Sequence, residues 1–73
     1  MKYGAVEIAG EITREILADI YLHRERLPSE RKLLERFGCA RGTIRQAFFL
    51  LEQRGLIETK PGSGSYVIHQ QKP

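Results

Sequence analysis

Two helix patterns separated by a glycine occupy residues 29–55, SERKLLERFGCARGTIRQAFFLLEQRG. The first pattern begins at Ser29, whose hydroxyl can accept a hydrogen bond from a free amide of the first helical turn. It ends at Gly38, because glycine readily adopts the left-handed conformation that closes many helices. Three apolar residues predict the buried side of this short helix: Leu33, Leu34 and Phe37.

The second pattern runs from about Ala40 to Arg54, before Gly55. Its core-facing side is predicted from residues at i, i+3, i+4 and i+7: Ile44, Ala47, Phe48 and Leu51. The opposite side is polar or small near its start and includes Gly42, Arg45, Gln46, Phe49 and Gln53, with Arg41 and Thr43 on the flanks. Two helices joined by a tight turn, the second with arginines near its start, predict a helix-turn-helix whose second helix enters a major groove.

The flanking segments complete the predicted fold. Before the two helices, a helix from about Ala5 to Tyr21 is indicated by isoleucines spaced four residues apart: Ile8, Ile12, Ile16 and Ile20. After them, two short strands are predicted at Leu56–Lys60 and Ser65–Ile68, joined by the turn residues Pro61–Gly64. The predicted fold class is mainly α with a small β-hairpin, a winged helix-turn-helix of three helices and a two-stranded wing.

Length and composition exclude several other classes of protein. A chain of 73 residues forms one small domain with no room for a large catalytic cleft. Its single cysteine, Cys39, excludes an intramolecular disulfide and a multi-thiolate metal site, so a cytoplasmic protein is expected. His23 and His69 are 46 positions apart and predict ordinary histidines rather than a zinc site. We find no nucleophile paired with a base and no phosphate loop, so neither an enzyme nor a cofactor is expected.

The basic residues are concentrated in the second part of the chain. Residues 1–22 contain two basic and four acidic residues, whereas residues 23–73 contain ten basic and five acidic residues. The whole chain has a formal net charge of +3 at pH 7. This asymmetry suits a polyanionic partner such as nucleic acid, although a solvated basic surface would give the same count. No apolar run is long enough for a membrane-spanning helix, so no membrane partner is expected.

Five motifs in this order closely resemble the winged helix-turn-helix domain of GntR-type bacterial transcription regulators over about residues 8–68. They are Leu27-Pro28-Ser29-Glu30-Arg31, Arg41-Gly42-Thr43-Ile44-Arg45-Gln46-Ala47, Leu51-Glu52, Gly55-Leu56-Ile57 and Gly62-Ser63-Gly64-Ser65-Tyr66-Val67. The resemblance implies a DNA-binding regulator, usually a repressor, that acts as a dimer on a short inverted repeat. The family's operator contacts carry over to Arg31, Arg41, Thr43, Arg45 and Gly64. To these we add Gln46, Lys60, Gly62 and Ser63 as candidate DNA-binding residues.

Physical chemistry supports these assignments with different strength. Arginine can bond a guanine base or a phosphate in a bidentate manner, and a glycine-containing wing can follow the backbone into the minor groove. Arg31 has a structural alternative, an ion pair with Glu35 one turn along its own helix. Arg45 has no acidic residue within a turn of its own helix, which favours a role in DNA binding.

The sequence departs from the family pattern at His23-Arg24, where Pro-Gly is usual, at Leu50, where a polar residue is usual, and at four positions that bear on DNA binding. Ala40 stands where a serine usually caps the second helix, and Gly42 stands where threonine or serine usually provides a phosphate contact. Gln46 replaces the usual glutamate, and glutamine can read adenine where glutamate would prefer cytosine. Phe49 stands where a polar residue is usual. It could contact a thymine methyl or a sugar, contact a partner domain, or be a neutral exposed side chain.

Domain organisation and partners follow from the resemblance. Residues 1–69 are predicted as the DNA-binding domain and residues 70–73 as the start of a linker to a C-terminal domain not present in this chain. The resemblance implies that this domain binds a small-molecule effector and forms the homodimer. The alternative function is a winged-helix module that binds protein or RNA without operator specificity, since a fold alone does not fix function.

Overall fold

The computed structural model describes residues 3–69, which form three helices and a two-stranded antiparallel sheet. Helix α1 spans Ala5–Leu17, α2 spans Glu30–Phe37 and α3 spans Arg41–Gln53. Strand β1, Ile57–Lys60, pairs with β2, Gly64–Val67, in the register Ile57 to Val67 and Lys60 to Gly64. This architecture confirms the predicted class of three helices with a β-hairpin wing. The predicted linker, residues 70–73, lies outside the described residues.

Helix α1 is shorter than the predicted Ala5–Tyr21. Ala18 caps its C-terminus, and Asp19 has a positive φ of 62°, so the chain leaves the helix before the fourth isoleucine of the pattern. Ile8, Ile12 and Ile16 are fully buried as predicted, but Ile20 is 63% exposed. The prediction for Ile20 was therefore wrong, because four-residue spacing has meaning only while the backbone remains helical.

Helix α2 begins and ends at the predicted residues. The Lys32 amide donates to Ser29 Oγ at 3.3 Å, and Gly38 adopts the left-handed conformation at φ 64° and ψ 40°. Helix α3 begins after Ala40, which provides no side-chain cap because a methyl group cannot accept a hydrogen bond. The tight turn between the two helices holds them as the predicted helix-turn-helix pair.

The hydrophobic core lies between α1 and α3 and extends to α2 and the hairpin. Ile44, Ala47 and Leu51 of α3 are fully buried, whereas Phe48, predicted for the same stripe, is half-buried. Leu27, Leu33, Phe37, Ile57 and Val67 complete the buried cluster. With one side of α3 held in this core, the opposite side must face outward.

A third, short segment pairs with the sheet, which the sequence did not predict. The segment between α1 and α2 lies beside β2, where Arg26 forms a bridge with Tyr66. The Leu27 amide donates to the Ser65 carbonyl at 2.8 Å, and the Val67 amide donates to the Glu25 carbonyl at 2.8 Å. These bonds fix the wing against the segment that leads into α2.

Two isoleucines of the same sequence pattern differ in burial, so we expect their substitution to lower the free energy of unfolding by different amounts. Ile12→Ala should lower the free energy of unfolding by about 2–5 kcal/mol, because it leaves a cavity in the core. Ile20→Ala should change it by about 0.5 kcal/mol or less, because this side chain is largely in solvent. Urea denaturation of both variants measures the difference, and equal costs would contradict the observed end of α1.

Candidate nucleic-acid interface

A cleft lies between the start of α2, the outward side of α3 and the wing. Five basic side chains line it: Arg26, Arg31, Arg41, Arg45 and Lys60. Only two acidic residues, Glu30 and Glu52, line the same surface. We call this surface the basic cleft. Its excess of positive charge suits a polyanionic ligand. An α-helix such as α3 is narrow enough to enter the major groove of DNA.

The basic cleft brings together seven of the nine residues predicted to bind DNA. These are Arg31, Arg41, Arg45, Lys60, Gly62, Ser63 and Gly64. Thr43 and Gln46 do not line it: Thr43 is half-buried next to the core residue Ile44, and Gln46 is exposed next to Arg45. Residues up to 33 positions apart in sequence, Arg31 and Gly64, thus share one surface, as the helix-turn-helix and hairpin predictions require.

An acidic partner for Arg45 comes from α2. Arg45 Nε donates to Glu30 Oε2 at 3.0 Å, and Arg41 Nη1 donates to Glu30 Oε1 at 2.8 Å. Mainly because of the hydrogen bond from Arg45, the pKa of Glu30 is held below its ordinary value. Arg45 therefore has an acidic partner in the folded chain, although none lies within a turn of its own helix, because the tight turn between α2 and α3 brings Glu30 close to it.

Arg31 and Lys60 have little to hold them in place. Within residues 3–69 the guanidinium of Arg31 forms no ion pair, so the suggested pairing with Glu35 does not occur. Lys60 Nζ lies 5.9 Å from the centre of the Tyr66 ring, a weak cation–π contact near the turn of the wing. Both charges are exposed and can turn toward an incoming phosphate.

The two glycines of the wing have different surroundings. Gly62 has φ 78° and open space where a Cβ would lie, in keeping with a turn that a backbone can approach closely. A Cβ on Gly64, at φ 141°, would lie 2.6 Å from Arg26 Nε. Gly64 therefore makes room for a side chain of the protein itself, a reason that the turn pattern did not reveal. Ser63, between them, forms a hydrogen bond through its hydroxyl with the Tyr66 hydroxyl.

Arg26 is the residue of the basic cleft that the sequence analysis missed. It comes directly before the Leu27–Arg31 motif, and its side chain extends along the wing beside Gly64. Its basic charge was visible in the sequence, but its position was not, because the pairing of residue 26 with β2 was unforeseen.

Phe49 lines the basic cleft and is 56% exposed. It lies one turn beyond Arg45 on the same helix, so its ring adds an apolar element to a mostly polar surface. This position is compatible with contact to a base methyl or sugar, and equally with a contact to a partner domain or with a neutral exposed side chain.

The described residues contain no group of three or more potential metal ligands. His23 and His69, distant in sequence, meet in the structure, where His23 Nδ1 lies 3.2 Å from the backbone oxygen of His69. Between Tyr3 and His69, no helix is long and apolar enough to span a membrane.

Comparisons with known proteins agree with this architecture. The AraR DNA-binding domain, solved in complex with an operator, has a TM-score of 0.85 and 31% identity over 92% of this chain and 82% of that one. The Uxu operon regulator of Haemophilus influenzae is 40% identical over 57 residues, covering 78% of this chain. The Uxu operon transcriptional regulator of Escherichia coli is 37% identical over 62 residues, covering 85%.

The chain spans 21% and 24% of the length of these two curated relatives. The model of the family described as bacterial regulatory proteins, gntR family, matches residues 5–67. This match confirms the family that the motifs indicated and the prediction of a regulatory protein rather than an enzyme. The chain belongs to the gntR family of bacterial regulatory proteins.

Proposed function

We propose that this domain binds operator DNA in a sequence-specific manner as part of a transcription regulator. The observation that carries the proposal is the basic cleft, in which five basic side chains surround the outward side of α3 and the wing. A relative of similar fold was solved on an operator, and two curated relatives are named as operon regulators. A helix with arginines near its start, held against the protein by its other side, suits the major groove.

The candidate residues divide into three groups: base-reading residues, phosphate-holding residues and the residues of the wing turn. Arg41, Arg45 and Gln46 read base edges, because arginine recognises guanine O6 and N7 and glutamine recognises adenine N6 and N7. Phosphates are held by Arg31, Thr43 and Lys60, to which the structure adds Arg26 as a candidate of the same kind. The wing residues Gly62, Ser63 and Gly64 follow the DNA backbone toward the minor groove.

The complete regulator binds as a homodimer. Two copies place α3 in successive major grooves about one helical turn apart, so the operator is an inverted repeat. Residues 1–69 form the DNA-binding domain, and residues 70–73 begin the linker to a C-terminal domain that binds a small-molecule effector and pairs the subunits. Such a protein acts in the cytoplasm, usually as a repressor. The relatives, about four times as long as this chain, have room for that second domain.

Selection from a random pool of duplexes tests the proposed function. The purified domain is incubated with the pool at moderate salt, and the bound duplexes are sequenced. We expect a short motif to be enriched, recurring as an inverted repeat. Binding without any enriched motif would indicate a general phosphate-binding domain. No binding at any salt concentration would favour the alternative of a protein- or RNA-binding module.

The base-reading and phosphate-holding roles predict different responses to substitution. Arg45→Ala should weaken binding to the selected duplex by an amount that corresponds to about 1–3 kcal/mol at one base pair, and should relax the preference there. Lys60→Ala should weaken binding to all duplexes about equally and reduce the dependence of the binding constant on salt. Titrations of both variants against the selected and scrambled duplexes measure these effects.

Arg14→Ala provides a matched control for the loss of one positive charge. Arg14 lies on α1, pairs with Glu11 and does not line the basic cleft. Its substitution should leave the preference for the selected duplex unchanged. If Arg45→Ala weakened selected and scrambled duplexes to the same extent, its assignment as a base-reading residue would be wrong.

A further inference from the structure

Glu30 places a negative charge inside a surface that otherwise suits a polyanion. Its side chain is 29% exposed, and each of its carboxylate oxygens accepts a hydrogen bond from a different arginine of α3. Both arginines belong to the first two turns of that helix, the part expected to meet base edges. The carboxylate repels phosphates, so its presence lowers the general affinity for DNA.

Helix α2 does not require this carboxylate to begin. Ser29 caps the helix with its own hydroxyl, which accepts the hydrogen bond from the Lys32 amide. The Glu30 carboxylate instead extends to α3, where it contacts Arg41 and Arg45. Its partners are therefore the side chains that would meet DNA.

The atoms used in these contacts leave the reading edge of Arg45 free. Glu30 engages Arg45 at Nε, the guanidinium nitrogen nearest the main chain. Nη1 and Nη2 of Arg45 form no hydrogen bond within the described part of the chain. A guanidinium is planar, so a bond at Nε fixes the direction of the two terminal nitrogens, which can then bond guanine O6 and N7 together.

We propose that Glu30 is a positioning residue that sets the base selectivity of Arg45, at the expense of general affinity for DNA. The proposal rests on the proposed function. An arginine already held in one orientation loses less conformational freedom when it binds its base. The same arginine is also less able to turn toward a phosphate or toward a different base. Arg41, held by the other oxygen at Nη1, shares the carboxylate and completes the three-residue arrangement.

Removal of the charge should therefore change affinity and selectivity in opposite directions. Glu30→Gln should raise affinity for a scrambled duplex, by about two- to fivefold at low salt, because one repulsive charge is lost. It should lower the ratio of binding constants between the selected duplex and the same duplex changed at the Arg45 base pair. We expect that ratio to fall by a factor on the order of ten.

Two further variants separate the position of the carboxylate from its charge. Glu30→Asp retains the charge on a shorter side chain, so the scrambled duplex should bind as it does to the unsubstituted chain, while selectivity falls part of the way. Glu35→Gln removes a carboxylate from the same helix, and Glu35 lies outside the basic cleft. This control should leave selectivity unchanged. Thermal unfolding of each variant shows that the fold is retained.

A double-mutant cycle with Arg45 tests whether Glu30 sets base selectivity through the Arg45 side chain. In an Arg45→Ala background, Glu30→Gln should cause little further loss of selectivity, since the side chain that it positions is absent. An unchanged selectivity in Glu30→Gln, or an equal loss with and without Arg45, would overturn the proposal. These outcomes are distinct from failure of the proposed function, in which the unsubstituted chain itself selects no motif and the inference falls with it.

Discussion

The buried contact between α1 and α3 determines how this small domain presents its surface. Ile8, Ile12 and Ile16 pack in one core with Ile44, Ala47 and Leu51, and all six side chains are fully buried. A helix advances about 100° per residue, so once this side of α3 is fixed inward, Arg45 and Phe49 must lie outward. The spacing of the apolar residues in α3 thus contributes to the core and determines which residues of this helix face solvent.

The second constraint is electrostatic. Basic side chains gathered from α2, α3, the wing and the segment before α2 would repel one another without compensation. Glu30 neutralises part of that charge where the two helices meet, by accepting hydrogen bonds from Arg41 and Arg45. Arg31 and Lys60, at the edge of the same surface, have no such partner within residues 3–69. The arrangement leaves some cations oriented and others free to turn toward a polyanion.

Local patterns predicted the parts of the structure that depend on local physics. The cap at Ser29, the left-handed Gly38, the α3 stripe and the glycine-rich turn each depend on a few neighbouring residues. The misses involve backbone geometry or long-range contacts. Positive φ at Asp19 ends α1 before Ile20, and no spacing rule encodes that bend. The Glu30–Arg45 pair and the contact of Arg26 with Gly64 join residues 15 and 38 positions apart, beyond the range of helical or strand periodicity.

DNA binding through the basic cleft is tested most simply by mapping which residues of the domain respond to DNA. Backbone amide chemical shifts of the isotope-labelled domain would be recorded by NMR while the selected duplex is added. We expect the largest changes at the start of α2, in the first half of α3 and in the turn of the wing, with little change in the turn after α1 that carries Ile20 and Leu22. Changes centred on that turn, with the basic cleft unaffected, would contradict DNA binding through the basic cleft.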